Sequence, residues 1–152
     1  MRRARASVLA PGPVNEVEAL WYDVSRWAGW IDGFAVVAKR EDDWPHQGGV
    51  LVWDSKPAGR GRVVEHVTAF EPRAGQVADV EDEQLRGRQT ISFTPEGDDV
   101  RVDLVLDYEL KRAGPLVPIT DLLFIRRALR DSMRRTLYRF SRERVGDLEI
   151  GH

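Results

Sequence analysis

The chain has 152 residues, of which 42 % are apolar and 32 % are charged, and its formal net charge is −2. This length and composition predict one globular domain over residues 1–152, and the near-neutral charge argues against nucleic-acid binding by the whole surface. The absence of cysteine excludes disulfides, thiolate chemistry and cysteine-ligated metals.

The N-terminal residues are basic but do not resemble a secretion signal. Met1–Val8 contains three arginines, and no apolar segment separates them from Pro11 and Pro13. No apolar run in the chain approaches the roughly 20 residues that a membrane-spanning helix needs. We therefore expect a cytoplasmic protein without a membrane span. Twenty of its 23 basic residues are arginine, which is typical of proteins from GC-rich bacterial genomes.

The N-terminal part of the chain predicts a strand followed by two short helices. Residues 3–9 alternate weakly between small apolar and polar side chains, which favours a strand. Val14–Tyr22 has apolar residues at helical intervals and acidic residues in its first turn. A second short helix is predicted over Arg26–Trp30, with Asp23 or Ser25 as its N-cap.

The middle of the chain predicts six further strands. Turn residues such as Gly48-Gly49 and Glu96-Gly97-Asp98-Asp99 separate them. The strands are expected at Phe34–Arg40, Val50–Ser55, Arg60–Phe70, Gln76–Asp82, Arg88–Pro95 and Val100–Leu110. The last of them has the clearest alternation of apolar and polar residues, which is typical of an antiparallel sheet covered on one face.

A long amphipathic helix is predicted from Thr120 or Asp121 to about Arg144. Its apolar residues follow a helical repeat and form one stripe, which comprises Leu122, Ile125, Leu129, Met133 (or Ser132), Thr136, Leu137 and Phe140. A helix of about 24 residues spans roughly 36 Å, which is enough to lie across a whole sheet. Residues 145–152 are expected to form a frayed tail.

Two segments resemble motifs of a known family. Asp23–Trp30, with the sequence DVSRWAGW, is similar to the D-v/l-x-r/y-W/p-x-W stretch of START-like polyketide cyclase/dehydrase and lipid-transport proteins. Val67–Arg73, with the sequence VTAFEPR, resembles the V-x-x-F-x-P-x-r turn before the fifth strand of that family. The resemblance extends from Ala4 to Phe140, and the predicted order of elements is that of the helix-grip fold.

The resemblance implies an α+β fold in which a curved seven-stranded antiparallel sheet wraps round the long C-terminal helix, with two short helices after the first strand. It also implies a cavity between the sheet and that helix. Members of the family differ in use, because some cyclise or aromatise polyketides and others carry lipids, quinones or hormones. The family has no single catalytic motif, so the resemblance assigns no catalytic residue.

The first functional hypothesis is that the chain binds a hydrophobic small molecule, such as a lipid, a polyketide or an isoprenoid, without a cofactor. A large covered apolar face with few candidate catalytic groups is expected of a ligand pocket. The candidate ligand-binding residues are Trp30, Trp53, His66, Phe93, Leu106, Tyr108, Leu129 and Met133. Trp27 is expected to anchor a short helix to the sheet, whereas Trp30 fits either such anchoring or the cavity wall.

The second hypothesis is a cyclase/dehydratase-type enzyme in which His66 and Tyr108 transfer protons. His66 is the one histidine within a predicted strand, and its expected same-face neighbours are Val64, Thr68 and Phe70. If that face is the concave one, its imidazole, with an unperturbed pKa of about 6.5, reaches the ligand. The alternative for both residues is a purely structural role, which for His66 includes a surface position.

The third hypothesis is an interaction module that uses the arginine-rich face of the last helix. An acidic protein or an anionic membrane would complement this face, and a merely solvated helix face is the alternative. The arginines concerned are Arg126, Arg127, Arg130, Arg134, Arg135, Arg139 and Arg142. Three scattered histidines without helical spacing give no support for a metal site. The sequence does not determine the ligand's identity or the oligomeric state.

Overall fold

The computed structural model describes residues 1–57, 59–111 and 119–151. In these ranges, seven strands and three helices follow one another in the predicted order. The strands are β1 Arg2–Pro11, β2 Phe34–Arg40, β3 Val50–Ser55, β4 Arg62–Glu71, β5 Gly75–Glu81, β6 Leu85–Glu96 and β7 Asp99–Leu110. The helices are α1 Val14–Tyr22, a 3₁₀ helix Val24–Gly29 and α2 Ile119–Ile150.

The seven strands form one antiparallel sheet in the order β1-β7-β6-β5-β4-β3-β2. The strands from β2 to β7 each pair with their neighbours in the chain, and β1 pairs with the remaining edge of β7. This pairing covers the whole of β1, from Arg2 opposite Tyr108 to Pro11 opposite Asp99. The sheet and the helices confirm the predicted α+β architecture, and their order is that of the helix-grip fold.

Helix α2 is longer than predicted. It continues to Ile150, so the expected fraying of residues 145–152 is wrong as far as that residue, and His152 lies outside the described residues. Asp147 explains the added turns, because it accepts hydrogen bonds of 2.9 and 2.8 Å from Arg26 of the 3₁₀ helix. Although α2 has 32 residues, neither it nor any other helix in the described part of the chain is apolar enough to cross a membrane.

The C-terminal half of α2 is packed more tightly on the sheet than its N-terminal half. Met133 and Phe140 are buried, whereas no side chain of residues 121–130 is. The ring of Phe140 is fully buried between two tryptophans, with its centroid 5.2 Å from that of Trp21 and 5.3 Å from that of Trp30. Helix α1 and the turn after the 3₁₀ helix therefore hold the same turn of α2.

This packing predicts that Phe140→Ala lowers the free energy of unfolding by about 3–5 kcal/mol, because it leaves a cavity between two rings. Tyr138→Ala is the matched control, since Tyr138 lies on the same helix with 65 % of its surface exposed. We expect the control to change stability by no more than about 0.5 kcal/mol. Urea denaturation followed by circular dichroism measures both values, and equal losses would contradict the packing described.

Candidate functional site

The face of strand β4 that packs against the core is not the face that contains His66. Glu65 and Val67 are buried, whereas His66 is exposed on the other face. The condition under which His66 is expected to reach the ligand, a place on the covered face, is therefore not met, and a role in binding stays a prediction. The physical reason is a bulge between Val67 and Ala69, which reverses the alternation along the strand. Phe70 is thus packed against the core although it lies four residues from the exposed His66.

A cavity lies between the sheet, helix α2 and the two short helices. Its volume is about 70 Å³. A cavity needs at least about 10–15 Å³ to hold one water, so this one is large enough for water. Most of its wall is apolar or aromatic, formed by Trp21, Trp27, Ile31, Trp53, Leu104, Leu106, Leu129 and Met133. Six polar side chains complete the wall, namely Asp32, Arg60, Glu65, Gln89, Ser132 and Thr136.

Half of the predicted ligand-binding residues line this cavity, namely Trp53, Leu106, Leu129 and Met133. Three others are buried in the core outside its wall, namely Trp30, Phe93 and Tyr108. Trp27, which is expected only to anchor a short helix, lines the cavity, whereas Trp30 packs against Phe140, which is the anchoring alternative of its two expected roles. The structure does not bring His66 and Tyr108 together, since one is exposed and the other is fully buried. That the lining residues bind a ligand stays a prediction.

Glu65 is the buried acid of the cavity. It is 3 % exposed, and its Oε2 accepts a hydrogen bond of 2.8 Å from the indole Nε1 of Trp53. Burial raises the pKa of Glu65 above its ordinary value, against the opposing effects of the Trp53 hydrogen bond and the charge of Arg60. Its second oxygen, Oε1, has no hydrogen-bond partner among the described residues. The wall therefore contains a carboxyl group with one free oxygen.

Arg60 lies beside this acid, in the turn between β3 and β4. Its Nε donates a hydrogen bond of 2.8 Å to Oδ2 of Asp82, whose side chain is 1 % exposed. The guanidinium carbon is 5.7 Å from the ring centroid of Trp53, which is within cation–π range. The Nη2 atom is buried and has no hydrogen-bond partner in the described part of the chain. Arg60 is thus held in place at Nε and leaves a second donor free.

These polar residues are the part of the site that the sequence analysis missed. Glu65 shares one face of β4 with Val63 and Val67, so the apolar alternation of the strand contains a single acid. The pairing of β3 with β4 places Trp53 opposite Val63, on the same face as Glu65. An acid in the apolar register beside a predicted cavity tryptophan is a signal that identifies Glu65. No comparable signal identifies Arg60, which lies between two glycines in a turn.

Asp32 ties the loop before β2 to the helix that covers the cavity. Its carboxylate accepts hydrogen bonds from Ser132 at 2.7 Å, from Arg135 at 2.9 Å and from Arg139 at 3.1 Å. Its backbone N–H donates to Oγ1 of Thr136 at 2.9 Å. Burial alone would raise the pKa of Asp32, but the hydrogen bonds from Arg135 and Ser132 outweigh it and the pKa is lowered. The cavity is closed on this side by a charged contact.

The arginine-rich face of α2 divides into two parts. Arg135 and Arg139 bind Asp32, so their charges are used within the protein. Three of the others, Arg126, Arg130 and Arg134, line a surface groove of about 390 Å³ together with residues of β1. A docking role for this groove stays a prediction. Among the residues that the structure describes, no group of histidine and acidic side chains could hold a metal ion.

The chain is similar to the proteins of one family and to several solved structures. The profile of the family described as polyketide cyclase / dehydrase and lipid transport matches residues 1–143. A protein from Thermus thermophilus shares 20 % identity, with 95 % of this chain and 98 % of that chain covered and a TM-score of 0.73. The Zhui aromatase/cyclase from Streptomyces sp. R1128 shares 16 % identity, with 97 % and 95 % covered and a TM-score of 0.73.

A third solved structure is the di-domain ARO/CYC StfQ from the steffimycin biosynthetic pathway. It shares 19 % identity, with 95 % of this chain and 51 % of that chain covered and a TM-score of 0.71. No curated protein matches the sequence. At these identities, the solved structures establish the fold only. The chemistry of the site has to be argued from the residues of this chain.

The Asp32 contact predicts a pH-dependent contribution to stability. Asp32→Asn should lower the free energy of unfolding near pH 7 by about 1–2 kcal/mol, because the two arginines lose their anion. A carboxyl group with a lowered pKa stabilises the fold above its ordinary pKa of 3.8, and this stabilisation is lost as the pH falls through the lowered value. The difference between the variant and the wild type should therefore shrink as the pH falls below 3.8.

Urea denaturation at several pH values measures this difference. Asp42→Asn is the control, because Asp42 is an exposed carboxylate without an ion pair among the described residues. We expect the control to be nearly as stable as the wild type near pH 7. A loss for Asp32→Asn that stays the same at both ends of the pH range would show that the charge of Asp32 does not contribute.

Proposed function

The chain belongs to the polyketide cyclase / dehydrase and lipid transport family, and we propose that it binds a hydrophobic small molecule in the cavity under helix α2. The observation that carries this proposal is the composition of the cavity wall, with eight apolar or aromatic side chains and six polar ones. Ligand pockets have this composition, in which apolar walls supply affinity and a few polar groups fix orientation. A lipid, a polyketide or an isoprenoid-like molecule is the expected class.

The named relatives support the same class of site. The Zhui protein is an aromatase/cyclase, and StfQ is an ARO/CYC of a biosynthetic pathway. Both share the fold over nearly all of this chain. Since their identities to it are below 20 %, the polar groups that select a ligand are argued from this chain alone.

The closed cavity is smaller than a complete ligand of this class. Its volume is about 70 Å³, whereas pockets for drug-sized ligands measure about 300–1,000 Å³. The N-terminal half of α2 is the part that can move away from the sheet, because residues 121–130 have no buried side chain. Leu129 and Met133 cover the cavity from this helix, and an unbranched methionine adapts readily to a new neighbour. Ligand binding is therefore expected to move this half of α2 away from the sheet.

The proposal predicts that filling the cavity from the helix abolishes binding of a neutral hydrophobic probe. We expect N-phenyl-1-naphthylamine to gain fluorescence on binding the wild type, and to bind at least about tenfold more weakly to Met133→Trp. The larger ring occupies the space under α2, at a cost in stability of about 1–3 kcal/mol from overpacking. Tyr138→Trp is the control, since it adds a similar ring on the exposed side of the same helix.

Thermal unfolding of each variant verifies that it is folded before the titration. Native mass spectrometry after incubation with a broad lipid extract provides a second readout, in which the wild type and Tyr138→Trp should carry a bound molecule. Equal probe affinity for Met133→Trp and the wild type would place the probe outside the cavity. Absence of any bound molecule or thermal shift with the wild type would overturn the proposed function.

A further inference from the structure

Two polar atoms at the cavity are buried without a hydrogen-bond partner in the described residues. They are Oε1 of Glu65 and Nη2 of Arg60. Both residues line the cavity, and Arg60 is near enough for its charge to act on the Glu65 carboxyl group. Buried polar groups in folded proteins are nearly always paired, because an unpaired one loses its bonds to water without replacement. The two atoms therefore indicate a bound polar group, supplied by water or by a ligand.

The charges around these atoms are already balanced. The guanidinium of Arg60 is paired with Asp82, and Asp32 is paired with Arg135 and Arg139 of α2. Glu65 receives no hydrogen bond from a cation among the described residues, and its only side-chain partner there is the indole of Trp53. Burial disfavours the charged form of such a carboxyl group and raises the pKa of Glu65, so the surroundings favour its neutral form.

The hydrogen bond from Trp53 decides which oxygen carries the proton. The indole Nε1 donates to Oε2 of Glu65 at 2.8 Å, so Oε2 acts as an acceptor. In a neutral carboxyl group the carbonyl oxygen is the acceptor and the other oxygen is a hydroxyl donor. The proton therefore lies on Oε1, the atom without a partner. Glu65 and Arg60 then present two donors to the cavity, and neither has an acceptor.

We propose that the free O–H of Glu65 and the free N–H of Arg60 bind one carbonyl oxygen of the ligand. This inference rests on the proposed function and names its ligand class, a hydrophobic ketone, aldehyde or ester. A carbonyl oxygen accepts two hydrogen bonds and has no proton of its own that needs a partner. A carboxylate would bring an unbalanced charge into a site whose charges are already paired, and a hydrocarbon would leave both donors unsatisfied.

The competing arrangement has an ionised Glu65. Its Oε1 would then be an acceptor, and a ligand hydroxyl group that donates to it would bind better than a carbonyl group. Three probes of nearly equal shape separate these arrangements: 2-acetylnaphthalene, the alkene 2-isopropenylnaphthalene and the alcohol 1-(2-naphthyl)ethanol. Displacement of N-phenyl-1-naphthylamine from the wild type measures the affinity of each. The displaced amine has no carbonyl group, so its own binding tests the proposed function separately.

For the wild type we expect the ketone to bind about tenfold to hundredfold more tightly than the alkene, and more tightly than the alcohol. Glu65→Gln should keep this preference, because its amide has a carbonyl oxygen that can accept from Trp53 and an NH₂ group that can donate in place of the O–H of the neutral acid. Glu65→Met has a similar length without either group and should reduce the preference to less than about threefold. Equal binding of ketone and alkene by the wild type would overturn the inference while the proposed function stands.

Two further outcomes would also overturn the inference. One is tighter binding of the alcohol than of the ketone by the wild type, and the other is loss of the ketone preference in Glu65→Gln. The pH dependence provides a test that needs no stable variant. The wild-type preference for the ketone should fall as the pH rises past the pKa of Glu65, and that of Glu65→Gln should stay level. A wild-type preference that increases with pH would contradict a neutral donor.

Discussion

The packing of Phe140 between Trp21 and Trp30 is the interaction on which the rest of the structure depends. One helix has to cover an entire sheet face and still leave space beneath it, and this ring fixes the C-terminal half of that helix against two other elements. The other contacts of α2 with this part of the chain include ion pairs, from Arg26 of the 3₁₀ helix to Asp147 and from Asp32 of the following loop to Arg135. An aromatic anchor resists displacement, whereas a partly exposed ion pair is a weak constraint.

The cavity depends on a second constraint, which is a chain of polar contacts through an apolar wall. Asp82 accepts hydrogen bonds from the backbone N–H groups of Gln84 and Leu85 and from Arg60, so the turn between β5 and β6 fixes the guanidinium. Arg60 lies over the Trp53 ring, and that indole in turn orients Glu65. A network of this kind restricts each side chain to one position. Two of its residues, Glu65 and Arg60, line the cavity and each has one buried polar atom without a partner in the described residues.

The sequence predicted the architecture well because the signals for it are local. Helix α1 and strands β2 and β3 have the predicted boundaries, since turn residues and alternation delimit them. The orientation of β4 could not be predicted, because a bulge after Val67 reverses the alternation and the aromatic Phe70 suggested the wrong face. For a different reason, the place of Trp27 in the cavity wall was not predicted. Which of two nearby indoles reaches the cavity depends on how the 3₁₀ helix meets α2, and this is decided by packing between distant segments.

The proposed ligand class rests on side chains that no single motif contains. Trp53, Glu65 and Gln89 come from three strands, Arg60 comes from a turn and Met133 comes from α2, so only the folded sheet assembles them. Solved structures of similar fold and low identity have the same framework, and a framework does not specify a hydrogen-bond pattern. The arginines of α2 also show that side-chain contacts are specific to this chain. Arg135 and Arg139 bind Asp32, which lines the cavity. Ser132, Arg135 and Arg139 lie beyond residues 121–130, so the proposed movement of the N-terminal half of α2 does not require this contact to break.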